Sequence, residues 1–96
     1  MKSYEREIKV ALRKTAERGL SAAKEECPVR TGKLRDSISL SCSDYAAEIG
    51  TRISYGAAVE LGTGRTAPNP FLGRAAERVR KEAAEIFINE MFGGVR

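Results

Sequence analysis

Side chains able to do chemistry are sparse in this chain. It has no histidine, which removes the usual proton carrier near neutral pH. Glu60 stands alone between Glu48 and Glu77. A carboxylate working as general acid or base needs a second group at the reacting atom, and no such partner accompanies it. Gly62-Thr-Gly64 is glycine-rich but lacks both the GxGxxG spacing and the Lys-Ser/Thr ending with which phosphate loops hold their ligand. It reads as a loop, and Thr31-Gly32 reads as a turn. Cys27 and Cys42 form no CxxC pair and have no histidine to complete a zinc site. Reduced, structural thiols are expected. The residues therefore point to a non-enzyme with no cofactor, no metal and no small-molecule substrate.

The remaining chemistry is charge. The chain carries 17 Lys and Arg against 13 Asp and Glu, a net charge of +4. Residues 1–26 hold 7 basic and 5 acidic side chains, residues 27–69 hold 5 and 4, and residues 70–96 hold 5 and 4. So thin a spread suits solvated helix faces better than a nucleic-acid surface, which gathers its cations on one side. Arg30, Lys33, Arg35, Arg52 and Arg65 are scattered through loops and strand ends. Tyr45 and Tyr55 could stack on bases, so a small basic nucleic-acid-binding module stays as the alternative reading.

The elements that must position these residues follow from periodicity. A 96-residue chain with 42% hydrophobic and 31% charged residues is expected to form one globular domain, 1–96. No apolar run approaches the length of a membrane span. The opening residues Met1-Lys-Ser-Tyr-Glu-Arg-Glu hold no apolar signal-peptide stretch, so an intracellular origin is expected.

Residues 3–26 carry a helical stripe of Tyr4, Ile8, Leu12, Thr15, Gly19 and Ala23, with Ser3 as N-cap and Glu5 and Glu7 at the dipole's positive end. Pro28 ends the helix. A turn at Thr31-Gly32 leads through a short helical stretch to Ile38. Residues 37–43 alternate strictly, with Ile38, Leu40 and Cys42 on one face and serines on the other. Tyr45, Ala47 and Ile49 alternate in turn and end at Gly50. A tight turn at Ser43-Asp44 pairs Cys42 with Tyr45, Leu40 with Ala47 and Ile38 with Ile49, all six on one face, while Ser39 and Glu48 pair on the wet one. A four-residue loop with the same register is the other option, since Ser-Asp is a poor two-residue turn.

Residues 53–61 fit a strand or a helical turn equally. Residues 62–70, with two glycines and two prolines, form a loop. Asn69 as N-cap and Pro70 at the first helical position open a closing helix over 70–92, stopped by Gly93-Gly94. The expected class is α+β: two long helices on one face of a small, mainly antiparallel sheet, in the order α-β-β-(β)-α.

Two phrases in this scheme resemble a known family. Pro28, Thr31-Gly32, Leu34 and Ser37-Ile38 resemble the "P…TG.L..SI" stretch of small tailed-bacteriophage neck proteins. These are head–tail joining or minor structural proteins typified by the tenth gene product of a lambdoid coliphage. Gly50-Thr51 is similar to the family's "GT". Tyr55 with Val59-Glu60-Leu61-Gly62-Thr63 is similar to "Y…VE.GT", and Pro70-Phe71-Leu72 with Ala75 to "PFL..A". The resemblance covers residues 27–76; the loop Gly64-Arg-Thr-Ala-Pro-Asn69 is short for the family.

The resemblance implies a phage or prophage virion protein of the neck or tail-completion region, made in the bacterial cytoplasm. It implies a ring of identical subunits, sixfold in the family pattern. The partners would be further copies of the chain and adjacent head-closure and tail proteins, with DNA only in passage and no membrane. The expected contact loop is Gly62, Thr63, Gly64, Arg65, Thr66, Ala67, Pro68 and Asn69. The expected structural positions are Pro28, Thr31, Gly32, Leu34, Tyr55, Glu60, Pro70 and Phe71.

Overall fold

A computed structural model describes residues 4–29, 32–53, 55–62 and 67–93. Its elements are α1 (Glu5–Glu26), α2 (Lys33–Ser37), β1 (Ser39–Cys42), β2 (Ala47–Gly50), α3 (Tyr55–Leu61) and α4 (Phe71–Phe92). The α+β arrangement expected from the sequence is present: two long helices and a small antiparallel sheet.

α1 buries a face made only of small residues: Ala11, Ala16, Gly19, Ala22 and Ala23. Small side chains let another backbone come close, and α4 packs along α1 over most of its length. The two run antiparallel. Arg74 of α4 meets Glu26 of α1 at one end, and the Tyr4 and Phe92 rings meet edge to face at the other, 5.5 Å between centroids. Each helix has 22 residues, about 33 Å at 1.5 Å per residue, and the molecule measures 56 × 22 × 20 Å. α1 ends as Pro28 requires: Cys27 has left the helical region, with ψ at 132°. The Ser3 cap lies outside the described residues.

β1 starts at Ser39 rather than Ser37 because α2 runs on to Ser37. The Ser37 hydroxyl donates back to the Leu34 carbonyl at 2.6 Å, a local bond that competes with strand pairing. The hairpin register corrects the expected one, which the tight turn and the four-residue loop shared. Cys42 pairs with Ala47, Ser41 with Glu48, Leu40 with Ile49 and Ser39 with Gly50, joined by the longer loop Ser43–Ala46. A two-residue I′ turn needs positive φ at both central residues, and among the described residues only Gly32 and Gly62 have it. The Ser43 amide instead bonds the Ala46 carbonyl at 2.7 Å. A shift of two residues leaves side chains on their own faces, so Leu40, Cys42, Ala47 and Ile49 remain half-buried. Tyr45 does not. Expected in the core face, it sits in the loop, 65% exposed, where its hydroxyl donates to Glu5 Oε1 at 2.7 Å.

The strand-or-helix ambiguity at 53–61 resolves to helix α3, so the sheet has two strands. The core gathers where α1 ends and α4 begins. Ala22, Ala23, Cys27, Leu34, Ile38, Phe71, Ala75 and Val79 form it, flanked by Leu20, Ile49, Ile53, Val59 and Leu72. No residue of α4 beyond Val79 is fully buried.

Candidate partner-contact loop and its anchorage

The residues of the two motif phrases turn out to build the chain path around the core. Pro28 stops α1. Gly32, at φ 83°, is the left-handed N-cap of α2, a conformation that glycine adopts without cost. Leu34, 5% exposed, drops into the core. Thr31 lies outside the described residues, as do Arg30 and Ser54. Tyr55 opens α3.

Glu60 has a role that its sequence position did not suggest. The first turn of an α-helix leaves amide groups without partners inside the helix. At the start of α4 each one is met. Pro70 has no N–H to satisfy. Phe71 N–H donates to the Asn69 carbonyl at 2.8 Å. Leu72 N–H donates to Glu60 Oε1 at 2.9 Å, and Gly73 N–H to Glu60 Oε2 at 3.2 Å. Arg74 N–H then begins the helical ladder on the Pro70 carbonyl at 2.9 Å. A carboxylate accepting two amides at a helix N-terminus gains from both charge-assisted bonds and the helix dipole. The expected cap is thereby corrected. Pro70, not Asn69, is the N-cap, with no side-chain bond of its own. Asn69 is occupied through its main chain, its N–H donating to the Val59 carbonyl at 2.8 Å.

Gly62 completes the arrangement. Its φ is 78°, and a β-carbon there would lie 2.7 Å from the Pro68 nitrogen and 3.0 Å from its Cα. The outgoing and returning chains therefore touch at Gly62 and Pro68. Of the expected contact loop, Gly62 and Ala67, Pro68 and Asn69 are described; Thr63, Gly64, Arg65 and Thr66 lie outside the described residues. Leu61, beside the loop, is 75% exposed.

Ion pairs span the seam between α1 and α4. Arg74 Nε binds Glu26 Oε1 at 2.7 Å, Arg78 binds Glu25 at 2.7 Å and Glu26 at 3.0 Å, Arg18 binds Glu82 at 3.0 Å, and Lys14 binds Glu90. The Arg74 hydrogen bond, helped by Arg78, holds the Glu26 carboxyl below its ordinary pKa. Arg18 does the same for Glu82. Of the loop cations, Arg35 lies 3.4 Å from Asp36 and Arg52 is exposed after β2, while Arg30 and Arg65 fall outside the described residues. Burial raises the pKa of the Cys27 thiol, which disfavours its nucleophilic form; both cysteines are free. Among the described residues no group of three or more His, Cys, Asp or Glu could hold a metal ion, and no helix is long and apolar enough to cross a membrane.

The family described as "Bacteriophage HK97-gp10, putative tail-component" matches residues 2–62, more than half of the chain. The chain belongs to the HK97-gp10-like family. No curated protein and no solved structure matches it. For an HK97-gp10-like protein the matched span is informative. It takes in α1, which lay outside the motif resemblance, and it stops at Gly62, so Pro70-Phe71-Leu72 falls beyond it. Glu60 and Gly62 lie inside it, and the amides they hold or face lie outside. A phage tail-component family accords with a structural protein of the virion.

Proposed function

We propose that this HK97-gp10-like protein is a structural subunit of the phage neck or tail-completion region, assembling as a ring that helps join capsid to tail. The family match carries the reading. Three features of the molecule support it. Four arginines of the long helices are engaged by carboxylates: Arg18, Arg74, Arg78 and Arg80 each have a partner within 3.0 Å. Such a surface tolerates passing DNA without gripping it, since tight binding requires many free phosphate contacts. Second, exposed apolar residues lie at both ends of the helical pair, Leu61 at one and Ile88 and Phe92 at the other. A ring needs two different patches that meet head to tail and close. Third, Ala67 and Pro68 of the contact loop are exposed, as is Leu61 ahead of it, so a neighbour can reach them.

The test is assembly. The purified protein, alone or mixed with the adjacent head-closure and tail proteins, is expected to sediment as a closed oligomer of fixed number. A species that stays monomeric in every mixture would remove the ring. Deleting residues 64–69 is expected to leave the circular dichroism spectrum intact and abolish joining in a complementation assay. Infectious tailed particles from that deletion would end the loop's assigned role.

A further inference from the structure

We propose that the cleft between the outer edge of β2 and helix α4 receives an extended segment of another protein, which joins the hairpin as a third strand. The inference goes beyond the reading above and uses neither loop 62–69 nor the ring. The cleft has a volume of about 370 Å³, within the range of pockets that enclose ligands. Its floor is the small-residue face of α1, at Ala16 and Gly19. Ala76 and Val79 of α4 stand on one side and Ala47 and Ile49 of β2 on the other. The pairing pattern decides what the β2 side offers. In an antiparallel ladder, opposed residues alternate between pairs that exchange main-chain bonds and pairs whose N–H and C=O point away from each other. The Ser43 N–H donates to the Ala46 carbonyl, so that pair is of the bonded kind. Along the register, Ser41–Glu48 and Ser39–Gly50 are then bonded pairs, while Cys42–Ala47 and Leu40–Ile49 are not. The N–H and C=O of Ala47 and Ile49 therefore face outward. These are the two β2 residues that line the cleft, and among the described residues no other main-chain group bonds them.

The charge and hydrogen-bond pattern of the cleft selects its occupant. Among the described residues its polar side chains are Thr15 and Arg80, and both are taken. The Thr15 hydroxyl donates to the Ala11 carbonyl at 2.8 Å, and the Arg80 guanidinium pairs with Glu77 at 2.7 Å. A cleft with no free charge does not suit a nucleic acid or an acidic ligand. A helix satisfies its own main chain and would leave the Ala47 and Ile49 groups unmet, at the cost of any buried unpaired amide. An extended segment meets them, as strands do when they add to an open sheet edge. It also sends alternate side chains down onto α1. Those side chains must be apolar, because the floor and the α4 side are, and the intervening ones face water. A second copy of the chain is poorly placed to supply the strand, since its own β1 and β2 already lie on its own α1. The occupant is therefore an uncharged, alternating apolar segment of a different protein.

A displayed library of random octapeptides, selected on the full-length protein, tests this. Sequences with alternating apolar residues are expected to be enriched and to bind with a dissociation constant on the order of 10 μM, as suits a short edge. In the free protein the amides of Ala47 and Ile49 should exchange with solvent faster than those of Glu48 and Gly50, and bound peptide should slow them about tenfold. N-methylating one alternate set of peptide amides should abolish binding, while N-methylating the other set should not. Ala76 is exposed, so Ala76→Glu is expected to keep the circular dichroism spectrum and to weaken the peptide about tenfold by placing a charge in the cleft. Failure to enrich alternating sequences, equal binding to Ala76→Glu, or indifference to N-methylation overturns the proposal. Slowed exchange at Ala47 and Ile49 with rising protein concentration and no peptide would assign the edge to a second copy and overturn it as well. None of these readouts involves ring formation or joining, so they succeed or fail separately from the test of the function proposed above.

Discussion

Glu60 shows how a residue's chemistry can be misjudged from its neighbours. A lone acid among loop residues looks idle when proton transfer is the question, yet its two oxygens satisfy two amides twelve and thirteen positions away. Phe71, 0% exposed and the largest fully buried side chain, is the most sensitive position. Phe71→Ala is expected to cost about 3–5 kcal/mol, a large share of a small domain's stability, and to appear in urea denaturation as a sharply lower midpoint. Gly62→Ala should cost more than about 1 kcal/mol from positive φ alone, with backbone contact at Pro68 added. Tyr45→Ala should shift the midpoint by less than about 0.5 kcal/mol, as for an exposed position. Had Tyr45 stood in the core, the loss would rival that of Phe71. The buried Cys27 thiol should be alkylated more slowly than Cys42 in the folded protein, with the two rates converging in denaturant.

Among the elements, the α1–α4 pair dominates the fold, and its seam is partly electrostatic. Each of these pairs is solvent-exposed and singly worth little, but their pH dependence has a definite sign. Glu26 and Glu82 have lowered folded-state pKa values. Their contribution is present above the unfolded carboxylate range, near pH 4, and is lost as pH falls through the lower folded value. Melting temperature is therefore expected to drop between pH 5 and pH 3 (roughly the carboxylate window). Glu26→Gln combined with Glu82→Gln should flatten that drop, and high salt should reduce it at neutral pH. An equally steep drop in the double variant would assign acid sensitivity to other groups. The hairpin illustrates a different limit. Alternation located both strands and their apolar faces, but the turn is governed by φ preferences that Ser-Asp cannot meet. The register therefore moved by two.

At the scale of the whole molecule, the core occupies one end of a long helical pair. The other end carries Ile88 and Phe92 at the surface. Burial continues along α1 through the small residues Ala11, Ala16 and Gly19, and under the ring proposal the exposed Ile88 and Phe92 would meet a neighbouring subunit. Replacing Ile88, 58% exposed, with serine is expected to leave the monomer's melting temperature nearly unchanged while weakening sedimenting oligomers; a large loss of stability instead would mean that this residue serves the subunit's own fold.

Much of this was legible in the chain itself. Helical spacing located α1 and α4, Pro28 and Gly93 their limits, and period-two alternation the hairpin faces, because those signals are local. The ordered motif phrases pointed to the phage family for a related reason: they mark turns, caps and core entries that any chain with this path requires. Tertiary structure alone decided what depends on distant residues meeting. Residues 55–61 form helix α3, with Gly56 facing Thr51 and Leu34 and Val59 packed against the core, contacts that period alone does not set. Arg78 finds Glu25 and Glu26 across more than fifty residues. Glu60 caps a helix it does not belong to. Local sequence sets which face of an element is apolar; only the packed chain determines which amide a carboxylate can reach.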